Sequence, residues 1–138
     1  MRSMRSRTLR GQLTGNETVR LIIDDGNFTH GHRVTEFYVF PASSADWRDG
    51  IVVLCLDDDA HTTANADDNR EIGWSIFNTT GRTFSTVLSP EHIAVQDLFI
   101  QSVGTTTFNY VVVIEPISMS ESQGILQLIK ERSQDDLN

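Results

Sequence analysis

The stretch VRLIIDDGNFTHGHRVTEFYVF, Val19 to Phe40, reads as strand, polar turn, strand. Its first apolar run, Val19 to Ile23, stops at Asp24-Asp25-Gly26-Asn27. Gly and Asn tolerate positive φ, and Asp bonds its own backbone, so this is turn chemistry. The second run alternates, with Val34, Glu36 and Tyr38 on one face and Thr35, Phe37 and Val39 on the other. A hairpin is expected here, with later strands stacking on it.

Working outward, Leu9 to Thr14 reads as a short strand, and Thr14-Gly15-Asn16-Glu17 as a turn leading into the hairpin. Beyond Phe40 the segment 41–50 is a loop whose only large apolar residue is Trp47. Ile51 to Leu56 is a continuous apolar run of strand length, fit for the centre of a sheet. Asp57-Asp58-Asp59 ends it, and a polar loop runs from Ala60 to Asn69. Ile72 to Phe77 is a strand that places Ile72, Trp74 and Ile76 on one face, which favours the core for Trp74. Strands follow at Thr83 to Leu88, Ile93 to Val103 and Phe108 to Ile114, the last rich in β-branched and aromatic residues.

This spacing predicts an all-β chain, a single β-sandwich or jelly roll of seven to eight strands. The period changes near the C-terminus. Ser118-Met119-Ser120-Glu121 and Ser120-Glu121-Ser122-Gln123 fit a capping box, and Ile125, Leu126, Leu128 and Ile129 then recur at helical spacing. One C-terminal α-helix is expected. The chain divides into a basic arm over 1–12, a β-sandwich over 13–117 and a helix with a polar tail over 118–138.

The formal net charge is −8, but it is unevenly placed. The first ten residues hold Arg2, Arg5, Arg7 and Arg10 and no acid. The other 128 hold 7 basic and 19 acidic side chains. An acidic body argues against wrapping nucleic acid with the whole domain. A basic arm on that body suits a polyanion or an acidic neighbouring subunit. Ten of the 11 basic residues are Arg, whose planar fork suits interfaces better than Lys. No run of 18 apolar residues offers a membrane span, and the N-terminus has no apolar core of a secretory signal. The single cysteine, Cys55, lies inside an apolar strand and reads as a buried small hydrophobe.

The strongest metal pattern is Asp57-Asp58-Asp59 with Asp67-Asp68-Asn69, six oxygen-bearing side chains flanking one loop, as calcium or magnesium requires. It lacks the Gly and Glu of an EF-hand, so solvated loop charge is the plainer reading. His30 and His32, with Asp24 and Asp25, could form a metal corner without an identifiable third and fourth ligand. His61 and His92 read as isolated surface residues. Trp47, Trp74, Phe77 and Phe84 could line a sugar-binding face, with Trp47 the one to suspect as either platform or interface anchor. No G-x-S-x-G elbow and no Gly-rich phosphate loop occurs, so the expectation is no enzyme and no cofactor.

Two stretches carry a resemblance. Arg7-Thr8-Leu9-Arg10-Gly11-Gln12, leading into Leu21 to Phe28, and the closing segment Leu126 to Asp135 resemble small β-rich structural proteins of marine bacteriophage genomes. The resemblance implies a jelly-roll-like virion protein (capsid, vertex or decoration component), made in the host bacterial cytoplasm and acting through subunit contacts. Homo-oligomers and other virion proteins are then the expected partners, with packaged nucleic acid a further one through the arm. The expected interface residues are Arg2, Arg5, Arg7, Arg10, Trp47, Ile125, Leu128 and Ile129. The alternative is a carbohydrate- or calcium-binding sandwich using Trp47 and the Asp57–Asn69 loop.

Overall fold

Eight strands make two antiparallel sheets in the computed structural model, which describes residues 6–23, 30–43, 49–78, 83–89, 92–94, 97–105, 107–118 and 126. They are β1 (Arg7–Thr14), β2 (Glu17–Leu21), β3 (His30–Pro41), β4 (Gly50–Cys55), β5 (Glu71–Asn78), β6 (Thr83–Leu88), β7 (Leu98–Gly104) and β8 (Thr107–Ser118). One sheet has the order β1-β8-β3 and the other β2-β7-β4-β5-β6. The apolar run Val52-Val53-Leu54-Cys55 lies at the middle of the five-stranded sheet and is fully buried.

The hairpin expected over Val19 to Phe40 does not form. β2 pairs with β7, and β3 pairs with β8 in the other sheet. The chain changes sheets between Leu21 and His30, a connection longer than the usual hairpin loop. β3 and β8 are both 12 residues long and match over nearly their whole length. The five-residue β2 offers no such partner.

Two bulges overturn the faces read from simple alternation. The β3–β8 register shifts between Val34 and Glu36, leaving Thr35 as the extra residue. One inserted residue reverses side-chain parity, so Val34 joins Phe37 and Val39 in the core while Glu36 and Tyr38 face outward. In β5 the register passes from Gly73 to Glu71 across Leu54 and Cys55, which makes Ile72 the extra residue. Ile72 and Phe77 point into the core, whereas Trp74 is half-buried and Ile76 is exposed on the outer face. Trp74 is therefore not a core residue.

One hydrophobic core joins the two sheets. Leu13, Val34, Phe37, Phe108, Val112 and Ile114 from the three-stranded sheet meet Val52, Leu54, Phe77, Leu98 and Ile100 from the other. The Phe77 and Phe108 rings pack with centroids 4.8 Å apart. Two chain crossings are tied to each other at one end. Gly15, at φ 63°, turns β1 into β2, a backbone region that favours glycine. Ser102 Oγ donates to Gly15 O at 2.6 Å, and Gly104 N donates to Asn16 Oδ1 at 3.0 Å. The named elements are all strands, and Leu126 is helical. The expected C-terminal helix falls on residues of which only Leu126 is described.

Candidate functional site

The loop between β4 and β5 folds over the outer face of the five-stranded sheet and carries a cluster of charged side chains. Its local chemistry is that of a turn-rich loop. Asn65 Oδ1 accepts from Asp67 N at 3.1 Å, and Asp68 N donates to Asn65 O at 3.1 Å. These turns bring Asp68 and Arg70 back above Asp57, and Leu56 N donates to Arg70 O at 2.8 Å to fix the return.

Arg70 is the hub. Its guanidinium forms a two-pronged contact with Asp68, with Nε to Oδ1 at 3.0 Å and Nη2 to Oδ2 at 2.8 Å. Nη1 donates to Asp57 Oδ2 at 2.9 Å and to Asp59 Oδ2 at 3.0 Å. The Asp68 hydrogen bonds, together with the charges of Asp57 and Asp68, raise the Arg70 pKa against the opposing effect of burial, so it is permanently cationic. The hydrogen bond from Arg70 is the main reason the Asp68 carboxyl lies below its ordinary value.

His61 is the second cation. It is buried, not a surface residue as the sequence suggested. Nδ1 lies 2.8 Å from Glu71 Oε2 and Nε2 lies 2.6 Å from Asp57 Oδ1. A ring that donates at both nitrogens, as an imidazolium, matches two carboxylates that only accept. Burial alone would lower the His61 pKa. The hydrogen bonds to Asp57 and Glu71, with their charges, outweigh burial and raise it. Glu71 is itself buried and bonded at both oxygens, its Oε1 accepting from Asn65 N at 2.9 Å and from the Trp74 indole at 2.8 Å. Gln101 on β7 pins the loop down, accepting from His61 N at 3.0 Å and donating to Asp59 O at 2.6 Å.

Cys55 closes the floor of the cluster. The thiol is fully buried, and its pKa is pushed up, first by burial and then by the charges of Asp57 and Glu71. A thiol so held is a poor nucleophile. The metal-ligating atoms of Cys55, Asp57 and His61 lie within 4.8 Å of one another, as do those of His61, Asp68 and Glu71. A transition metal on the first set would have to displace the His61 Nε2 proton. A hard cation at the aspartates would have to displace Arg70, which already brings Asp57, Asp59 and Asp68 together. Asp58 and Asp67 are exposed. The cluster supplies its own cations and is built to hold the long loop onto the sheet.

The pH response follows from these directions. A His whose folded pKa is raised stabilises fully below its unfolded value near 6.5 and loses that contribution as pH rises through the folded value. Asp68, lowered from 3.8, contributes fully above that pH and loses its contribution as pH falls through the folded value. The melting-temperature gap between wild type and His61→Gln is expected to be widest at pH 5–6 and to shrink on the alkaline side. A gap that stays constant from pH 5 to 9 would rule out the imidazolium.

A second region stands on the outer face of the three-stranded sheet. The register sets three rows across β1, β8 and β3: Thr8, Val113 and Glu36; Arg10, Val111 and Tyr38; Gln12, Asn109 and Phe40. Tyr38 is 51% exposed and Phe40 49%. The Tyr38 hydroxyl donates to Glu36 Oε1 at 2.9 Å, and Gln12 Nε2 donates to Asn109 Oδ1 at 2.9 Å.

Of the interface residues expected from sequence, Arg7 and Arg10 are exposed on β1, paired through the backbone opposite Ile114 and Val111. The stretch read as an arm is therefore sheet from Arg7 onward. Arg2, Arg5, Trp47, Ile125, Leu128 and Ile129 lie outside the described residues, as do Asp24 and Asp25. Phe84 lies in β6, where its side chain is not described. Phe77 is core, and the Trp74 indole is engaged by Glu71. His32 is buried in β3, where its backbone pairs with Ala94, and His92 is half-buried. Sequence reasoning missed His61, Arg70 and Glu71. The available signal was a single arginine directly after Asp67-Asp68-Asn69 in an otherwise acidic loop. No family model, curated protein or solved structure matches the chain.

Proposed function

We propose that this protein is a structural subunit of a bacteriophage virion, a β-sandwich made in the host cytoplasm that works by contact with other subunits. The carrying observation is the outer face of the three-stranded sheet, where Tyr38 and Phe40 are half-exposed beside Val111 and Val113. Exposed aromatics grouped on one sheet face favour association over solvation. The sandwich assignment rests on the shared core between the two sheets. The partners are further copies of the chain and other virion proteins, with the Arg-rich start of the chain meeting acidic neighbours or packaged nucleic acid. No helix among the described residues is long and apolar enough to cross a membrane. The calcium-binding alternative loses support because Arg70 holds the aspartates that a cation would need.

Mass in solution by light scattering, at about 0.1 and 1 M salt, tests this reading, since the distance over which charges are felt falls from about 10 Å to about 3 Å between them. A defined oligomer that weakens with salt is expected. Deleting residues 1–6 removes basic charge without touching β1, and should weaken assembly while leaving the melting temperature near that of the full chain. A monomer under every condition that also fails to join other virion proteins would overturn the proposal.

A further inference from the structure

The outer face of the three-stranded sheet carries its own complement. Arg10 is exposed on edge strand β1. On the opposite edge strand, β3, the Tyr38 ring lies beside the Glu36 carboxylate, joined to it by the 2.9 Å hydrogen bond. An aromatic face with an adjacent carboxylate is a receptor for a guanidinium, which stacks on the ring and pairs with the acid. Val111 separates cation from receptor within one row, so the two do not face each other inside one molecule.

We propose that this face docks on the same face of a second copy, through a two-fold axis running along β8 between the two sheets. This rests on the assembly reading above and names its surface. Such an axis exchanges β1 with β3 and keeps each row opposite itself, as an isologous contact requires. Arg10 then lies over the partner's Tyr38, with the partner's Glu36 one row away, about 7 Å along the strand and within the reach of an arginine. Val111 and Val113 meet their own counterparts at the centre. Thr8 faces the partner's Glu36, and Gln12 faces the partner's Phe40. Each Arg10–Tyr38–Glu36 contact forms twice. Sheets packed face to face hold their strands within about 30° of each other, which preserves this pairing.

Three strands by three rows present about 300 Å² per copy, using the strand and residue spacings of a sheet. Two such faces fall below the roughly 1,200 Å² of a standard stable interface. The contact is therefore weak alone, and becomes effective when many copies are held together.

Sedimentation of the full chain from about 10 µM to 2 mM, a range chosen for an interface of this size, reads the association. Reversible dimerisation of the wild type is expected. Arg10→Glu and Glu36→Arg should each weaken it about tenfold or more, because like charges then face across the axis. The double variant Arg10→Glu with Glu36→Arg should return to within about threefold of wild type, since the pair is restored with its charges exchanged. Both positions are exposed, so melting temperatures should hardly change. An oligomer indifferent to all three variants would leave assembly standing and overturn this surface. A double variant no better than the singles would also overturn it. A wild type that stays monomeric to the top of the range would remove the self-docking face altogether.

Discussion

Arg70→Met is expected to lower folding stability by about 3–5 kcal/mol, because removing one partner of a buried ionic network leaves charge uncompensated. Methionine keeps most of the apolar stem and deletes only the guanidinium. Asp57 and Asp68 would then lose the guanidinium that joins them, while His61 stays beside both. A folded domain has only about 5–15 kcal/mol in total, so this one change removes a large part of it. Urea unfolding of purified protein measures the loss. A companion variant separates charge from packing. Adding Asp57→Asn and Asp68→Asn to Arg70→Met removes the stranded charges and should recover part of the stability. A single variant within about 1 kcal/mol of wild type would mean that the network does not hold the loop, since ordinary surface changes already reach half that size.

Phe108→Ala is expected to cost a similar amount, about 3–5 kcal/mol, through lost burial and the cavity left behind. Phe108 is fully buried on β8, the middle strand of its sheet, and its ring packs on Phe77 of the other sheet. It also lies over Gly50, where a Cβ would come within 2.6 Å of the ring tip. The glycine and the phenylalanine are thus one packing unit across the two sheets. The urea midpoint should fall with little change in slope, because the surface exposed on unfolding is nearly the same. A loss under about 1 kcal/mol would show that the sheets are not joined at this point. Phe108→Leu should lie between wild type and Ala, since it fills part of the cavity.

The two variants probe different kinds of information. Phe108 sits in a β-branched, aromatic run whose strand character is plain from composition, and β8 extends that run at both ends. β4 and β6 are equally plain. Faces were less legible. Alternation in β3 and β5 misplaces Val34, Trp74 and Ile76, because a bulge at Thr35 and another at Ile72 each invert the parity. A bulge leaves no clear local mark in sequence, since its energy lies in the partner strand. The site divides in the same way. The acids of the Asp57–Asp68 loop are conspicuous as a group, and the pattern correctly marks a place where oxygens converge. The cations they converge on, Arg70 and His61, look unremarkable in a linear reading.

The sequence by itself determined that the body of the chain is built of β-strands, that Ile51 to Leu56 supplies a central strand, and that Cys55 is buried. These follow from local propensity and from apolar residues leaving water, which depend on short windows of chain. Only the tertiary structure decided that Val19 to Phe40 contributes to two different sheets, that β1 pairs with the distant β8, and that Arg10, Glu36 and Tyr38 share one outer face. Strand pairing is made by backbone hydrogen bonds between residues far apart in sequence. Which pairs form depends on matching lengths and buried faces across the whole molecule, not on any single segment.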